Sequence, residues 1–124
     1  MKIILVSSMQ FYSKLQKIKV TLENKGHKII LPLTDESYKS EKNIKRKAME
    51  DFNKNLRDSD AILIANFDKE SNPNYIGVNA LMESGMAFIL NKKIFILNSI
   101  PENCKDEFQA IRVIELNGNL KKIK

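Results

Sequence analysis

Apolar residues fall along this chain in two rhythms. Short continuous runs, KIILV (2–6), DAILIANF (60–67) and KIFILN (93–98), alternate with segments in which apolar residues recur every three or four positions. Runs of the first kind suit strands buried on both faces of a parallel sheet. Phe11, Leu15, Ile18 and Leu22 predict a helix that Gly26 closes. Ile44, Ala48, Phe52 and Leu56 predict a second amphipathic helix. A third helix is expected from Val78 or Asn79 to about Asn91, and a short one over 101–111. HKIILPL (27–33) reads as a second strand stopped by Pro32, and RVIEL (112–116) as a weak edge strand. TDESYKSEKN (34–43) is polar and reads as a mobile loop; DKESNPNYIG (68–77) is rich in turn formers and reads as another.

Strands alternating with helices imply an α/β fold, a doubly wound parallel sheet of about five strands with right-handed crossovers and helices on both faces. The 124 residues suffice for one core, so the expected organisation is a single domain over 1–124, without internal repeat or linker. In such a sheet a ligand site lies outside the carboxyl ends of the strands, where the strand order reverses. The loops expected to line it are Ser7–Gln10, Phe67–Asn79 and Asn98–Pro101.

Composition narrows the chemistry. The apolar runs are too short to span a bilayer, and the start of the chain is too short for a secretory leader, so a cytoplasmic protein without membrane partners is expected. One cysteine, Cys104, precludes an internal disulfide, and with His27 as the single histidine no zinc site of Cys and His can be built. No metal and no cofactor is expected. The net charge of +6 raises the question of nucleic acid. However, the basic residues are dispersed among acids and no aromatics are interleaved with them, so nucleic acid is disfavoured as a partner.

Glycine-rich dinucleotide and P-loop fingerprints and the nucleophile elbow are all missing. His27 opens a strand at the end away from the expected site, so a Ser-His or Cys-His catalyst is disfavoured. Ser7, Ser8 and Met9 stand where the first strand turns into the first helix, a place for a phosphate or sugar oxygen or for a plain helix cap. Glu83 is the anomaly. It lies in the early turns of a helix whose Val78, Leu81, Met82, Gly85 and Ile89 share one face and read as core material, with Glu83 at the border of that face. A structural account is an acid complementing the helix dipole; a capping box with Asn79 fails, because the spacing is four rather than three. The functional account is a carboxylate partly desolvated in the ligand crevice and tuned for nucleophilic or acid–base work.

The stretch YIGVNALMESGMAFILNKKIFILN (75–98) resembles the nucleoside 2-deoxyribosyltransferase superfamily, which also contains deoxynucleotide N-glycosidases. The matching elements are Gly77, Glu83, Gly85, Ala87 and Lys93, while KIILVSSM and SDAILIANFD resemble the first and third strands of that family. The resemblance implies a flavodoxin-like sheet and cleavage or transfer at the N-glycosidic bond of a nucleoside or nucleoside 5′-monophosphate. Glu83 would be the nucleophile, attacking the anomeric carbon as the base leaves. Ser7, Ser8 and Met9 would hold the sugar or phosphate, and Gly77 and Asn79 would shape the sugar pocket. Tyr75, Asn98 and Asp68 would serve base contacts or proton transfer. A homodimer or higher homo-oligomer is implied as well. The chain departs from the pattern at three points: Phe52 falls near the usual second-helix aspartate, between Asp51 and Asn53; Gly77 falls near a second aspartate; and Ser7 replaces a glycine. A non-catalytic nucleotide-sensing module of the same fold is the alternative expectation.

Overall fold

Five strands rich in Ile, Leu and Val lie side by side in one parallel sheet, with helices between them. The computed structural model describes residues 1–32 and 43–124. In chain order the elements are β1 (Lys2–Val6), α1 (Tyr12–Asn24), β2 (Lys28–Ile30), α2 (Ile44–Arg57), β3 (Ala61–Ile64), α3 (Val78–Ile89), β4 (Lys93–Ile96), α4 (Lys105–Ala110) and β5 (Ile114–Glu115). Short 3-10 turns at Met9–Phe11 and Glu102–Cys104 lead into α1 and α4. All the expected elements are present; β1 matches its apolar run, and the other four strands are shorter than theirs. The expected loop over 34–43 lies outside the described residues except for Asn43, which caps α2 by accepting a hydrogen bond from the Arg46 backbone N–H at 3.2 Å.

The sheet order is β2-β1-β3-β4-β5, the flavodoxin-like arrangement, with Ile4 level with Ile30 on one side and Ile62 on the other. Alternate strand residues feed two cores. Ile3, Leu5, Leu63 and Phe95 pack beneath Leu15, Ile18 and Leu22 of α1. Ile4, Val6, Ile62, Ile64, Ile94 and Ile96 pack against Phe52 and Leu56 of α2, Ala80 and Ala87 of α3, and Phe108 of α4. Covering both faces is what removes the polar alternation from the strand sequences; every residue of β3 is buried. Gly26 closes α1 in the left-handed region (φ 96°), and the His27 N–H returns to the Leu22 carbonyl at 3.2 Å.

One reading of α3 is overturned. The face carrying Val78, Leu81, Met82, Gly85 and Ile89 turns to solvent, with Val78 and Ile89 each 74% exposed. The helix sits on the sheet through Ala80, Ser84 and Ala87 instead. Small side chains let it approach β3 and β4 closely, and the Ser84 hydroxyl donates to the Ala80 carbonyl at 2.6 Å, so its burial leaves no donor unpaired. Among the described residues no helix is long and apolar enough to cross a membrane.

Candidate active site

β2 and β3 stand on either side of β1, so α2 crosses over β1 on its way between them, and α3 lies beside it on the same face. Between these two helices, above the carboxyl end of β1, lies a cavity of about 550 Å³. This is the size of a small-molecule site. Its floor is the end of β1 and the Ser7–Met9 turn, and Ile30 to Pro32 close one side. The α2 wall presents Lys45, Ala48, Met49, Asp51, Phe52 and Asn55; the opposite wall presents Lys69, Tyr75, Gly77, Asn79, Ala80 and Glu83.

Glu83 stands in the second turn of α3. No acid occupies the first turn, where the helix dipole is felt, so the dipole account of Glu83 fails. Its carboxyl lines the cavity, and among the described residues no donor is bonded to it. Burial pushes its pKa from 4.5 up to about 7. Both the protonated and the ionised form of Glu83 are therefore populated near neutral pH. A carboxylate held this way is poorly solvated and correspondingly reactive as a base or nucleophile.

Ser7, Ser8, Met9, Tyr75, Gly77, Asn79 and Glu83 are brought together in the cavity wall. The capping account of the serines does not hold. Ser7 Oγ donates to the Ala65 carbonyl at 2.7 Å, tying β1 to β3, and Ser8 makes no capping bond to the helix that follows it. Gly77 is extended (φ −77°), and a Cβ there would rest 3.5 Å from the Tyr75 ring, an ordinary contact.

Two expected site residues are placed elsewhere. The Asn98 side chain donates to the Asn66 carbonyl at 3.1 Å, and its backbone N–H donates to Asn66 Oδ1 at 2.9 Å. Asp68 Oδ1 accepts the Asn74 N–H at 2.8 Å. Neither lines the cavity, and the 98–101 loop is replaced there by the end of β2. The reason is strand order: β3 separates β4 from β1, so the loop after β4 opens away from the crevice. Both residues instead hold loops in place. Asn66, fully buried, donates to the Ser99 carbonyl at 2.9 Å and reaches toward the Asn74 carbonyl at 3.5 Å. Tyr75 N–H bonds the Phe67 carbonyl at 2.9 Å, and Lys69 and Asn72 form a bridge. The 67–77 loop is thereby a built structure that presents Lys69 and Tyr75 to the cavity.

Asp51, Lys45, Lys69 and the clamp residue Asn66 were not picked out by the sequence. Asp51, one position from Phe52, brings a second carboxyl into the cavity and lies 3.4 Å from Lys47 Nζ, itself four residues earlier on α2. The signal was the polar pair Asp51 and Asn55 at helical spacing beside the apolar stripe of α2. His27 is far from all this, at the other end of the sheet, with Nδ1 3.0 Å from the Met1 amino group. Burial lowers its pKa, helped by that neighbouring positive charge. Asp58 and Asp60 share that end; both bond Lys2.

Fold and cavity define a class: a flavodoxin-like α/β protein holding a desolvated carboxylate where the strand order reverses. Several solved proteins share this fold, among them the following two. The CMP N-glycosidase BcmB of Clostridium botulinum superposes with a TM-score of 0.61 at 13% identity, covering 94% of this chain and 90% of its own. A 2-deoxyribosyltransferase from Bacillus psychrosaccharolyticus superposes with a TM-score of 0.58 at 17% identity, covering 77% of this chain and 71% of its own. No family model and no curated protein sequence matches the chain.

Proposed function

We propose that this protein cleaves the N-glycosidic bond of a nucleoside or nucleoside 5′-monophosphate, passing the sugar to water or to a second base. The observation that carries the reading is Glu83: a carboxyl with no bonded donor among the described residues, its pKa pushed up to about 7 by burial, in the wall of a cavity of nucleoside size. The fold it shares with a CMP N-glycosidase and a 2-deoxyribosyltransferase supports the same reaction type.

Ionised Glu83 attacks the anomeric carbon, and the bond to the base breaks with its electron pair leaving on the base nitrogen, which takes a proton from water. The carboxylate stabilises the oxocarbenium-like transition state and splits one difficult displacement into two. Water or an incoming base then attacks the same carbon and frees Glu83. Asp51, beside the Lys47 ammonium, is an acceptor for sugar hydroxyls from the opposite wall. Ser8 and Asn79 complete the sugar contacts, and Tyr75 offers a ring face to the base.

The protein acts as a homodimer in this reading. What supports it is the uncharged outer face of α3, where Val78, Leu81, Met82, Phe88 and Ile89 are exposed around Gly85, an apolar patch of the kind that an interface between two copies buries.

The test is a panel of nucleosides and 5′-monophosphates, with and without an acceptor base, analysed by chromatography alongside Glu83→Gln. Base release or exchange that disappears in the variant is the expected result. Thermal stabilisation by a nucleotide without any turnover would replace the catalytic reading with that of a nucleotide-sensing module.

A further inference from the structure

Basic residues that lie scattered along the chain gather at one place in the folded molecule, the amino edge of the sheet, opposite the cavity. Every helix returns to the sheet at that edge, and each return brings cations. Lys28 opens β2, Arg57 ends α2 shortly before β3, Lys92 and Lys93 lead into β4, and Arg112 precedes β5. Lys92 is half-buried and the others are exposed. Lys2, which opens β1, is level with Lys28, and Lys93 is level with Ala61 of β3. At about 4.8 Å between strands, the row from β2 to β5 is roughly 19 Å long.

Two acids stand in these turns, Asp58 and Asp60, and both bond Lys2. The Asp58 pKa is lowered first by Lys2 and then by the charges of Lys28 and Lys92, which lie around it. Lys92 Nζ also donates to the Arg57 carbonyl at 3.3 Å, so the turns before β3 and β4 meet. Among the described residues no carboxylate pairs with Lys28, Arg57, Lys92, Lys93 or Arg112. The opposite edge is different: the Ser7–Gln10 turn is uncharged, and the 67–77 loop sets Asp68 and Glu70 beside Lys69.

Helix dipoles do not account for the row. A cation that complements a dipole lies in the last turn of its helix. α2 has such cations, whereas α1, α3 and α4 have none, and their cations stand beyond the helix ends. Arg112 does so against a backbone preference. α1 and α3 close in the left-handed region on Gly26 and Asn91, residue types that tolerate it, but α4 closes there on Arg112, at φ 56°.

We propose that the amino edge of the sheet docks on the phosphate backbone of a nucleic-acid duplex without regard to sequence. The dispersal that disfavours nucleic acid along the chain is undone by the fold. A straight row of point charges about 19 Å long spans about five phosphates of one duplex strand, at roughly 3.4 Å each. The turns carry no Phe, Tyr or Trp on which the bases of a single strand would stack. They also carry no exposed large apolar side chain of the kind that anchors a protein in a membrane. This surface lies apart from Glu83 and does not depend on the reaction proposed above.

The experiment is fluorescence anisotropy of a labelled, mixed-sequence DNA duplex titrated with the full chain at about 50 and about 200 mM salt. With four phosphates neutralised, affinity should fall about a hundredfold over that range. The Lys92→Gln, Lys93→Gln, Arg112→Gly triple variant should bind at least about tenfold more weakly at low salt and with a flatter salt dependence. Arg112→Gly alone relieves the left-handed backbone, so it should weaken binding without lowering the melting temperature. The Lys14→Gln, Lys17→Gln, Lys105→Gln triple removes as many charges from α1 and the start of α4, and should stay within about threefold of the parent. No salt-dependent binding of the duplex, an equal loss in the two triple variants, or tighter binding of a single strand or of phosphatidylserine vesicles each overturns the inference.

Discussion

Replacing Glu83 by Gln should stabilise the protein at alkaline pH and leave it little changed in acid. Burial raises this carboxyl from 4.5, its ordinary value, to about 7 in the folded chain. Between those values the folded state binds the proton and the unfolded state does not, so stability falls as pH rises from 4.5 through 7 and is level above. At about 1.4 kcal/mol per pH unit, keeping Glu83 ionised in the fold costs roughly 3 kcal/mol at pH 8. Gln matches the shape without the charge, and burying its amide without a partner takes back about 1 kcal/mol or more. The net gain at pH 8 should therefore be about 1–2 kcal/mol, and near pH 4.5 the variant should be no more stable than its parent. Urea denaturation followed by circular dichroism from pH 4.5 to 8.5 reads this directly, as a midpoint difference of roughly 1 M at alkaline pH. Other carboxyls titrate in both proteins and cancel in the difference. Two parallel curves, separated by the same offset at every pH, would mean that the Glu83 carboxyl is solvated, and the case for a tuned nucleophile would lose its foundation.

If Glu83 is the nucleophile, log kcat/KM should climb with unit slope up to about pH 7 and then level; a rate that falls above pH 7 would make it an acid instead. Asn66→Asp sets a carboxylate against the Ser99 carbonyl and should cost about 1–3 kcal/mol in urea denaturation, with turnover falling as the 67–77 loop loosens; an unchanged midpoint would remove Asn66 as a clamp. Ile89→Lys should abolish self-association in sedimentation equilibrium while shifting stability by no more than about 0.5 kcal/mol, since Ile89 is 74% exposed within the protomer. A dimer that persists would place the interface elsewhere.

Local pattern determined the order of elements in this protein. Continuous apolar runs and three-to-four spacing are properties of neighbouring residues, and the runs here, short and rich in Ile, Leu and Val, have the length of strands rather than helices. Glu83 was legible for the same reason, as a charge in an apolar helix whose block resembles a known family. Which way that helix faced was not legible. A wheel places Val78, Leu81, Met82 and Ile89 together, but Ala80, Ser84 and Ala87 went to the sheet because small residues permit the closest approach. The same limit governs Asp51 and Phe52: adjacent in sequence, they differ by about 100° around α2, and only the packed helix brings both to the cavity wall. Asn98 and Asp68 looked like ligand residues because they stand in loops at the right edge of the sheet. Strand order turned one away from the crevice, and hydrogen bonds to Asn66 and Asn74 committed both to holding loops. Secondary structure comes from contacts between near neighbours along the chain; a site is made where β1, α2 and α3 converge across separations of more than 20 residues, and those contacts exist only in the folded molecule.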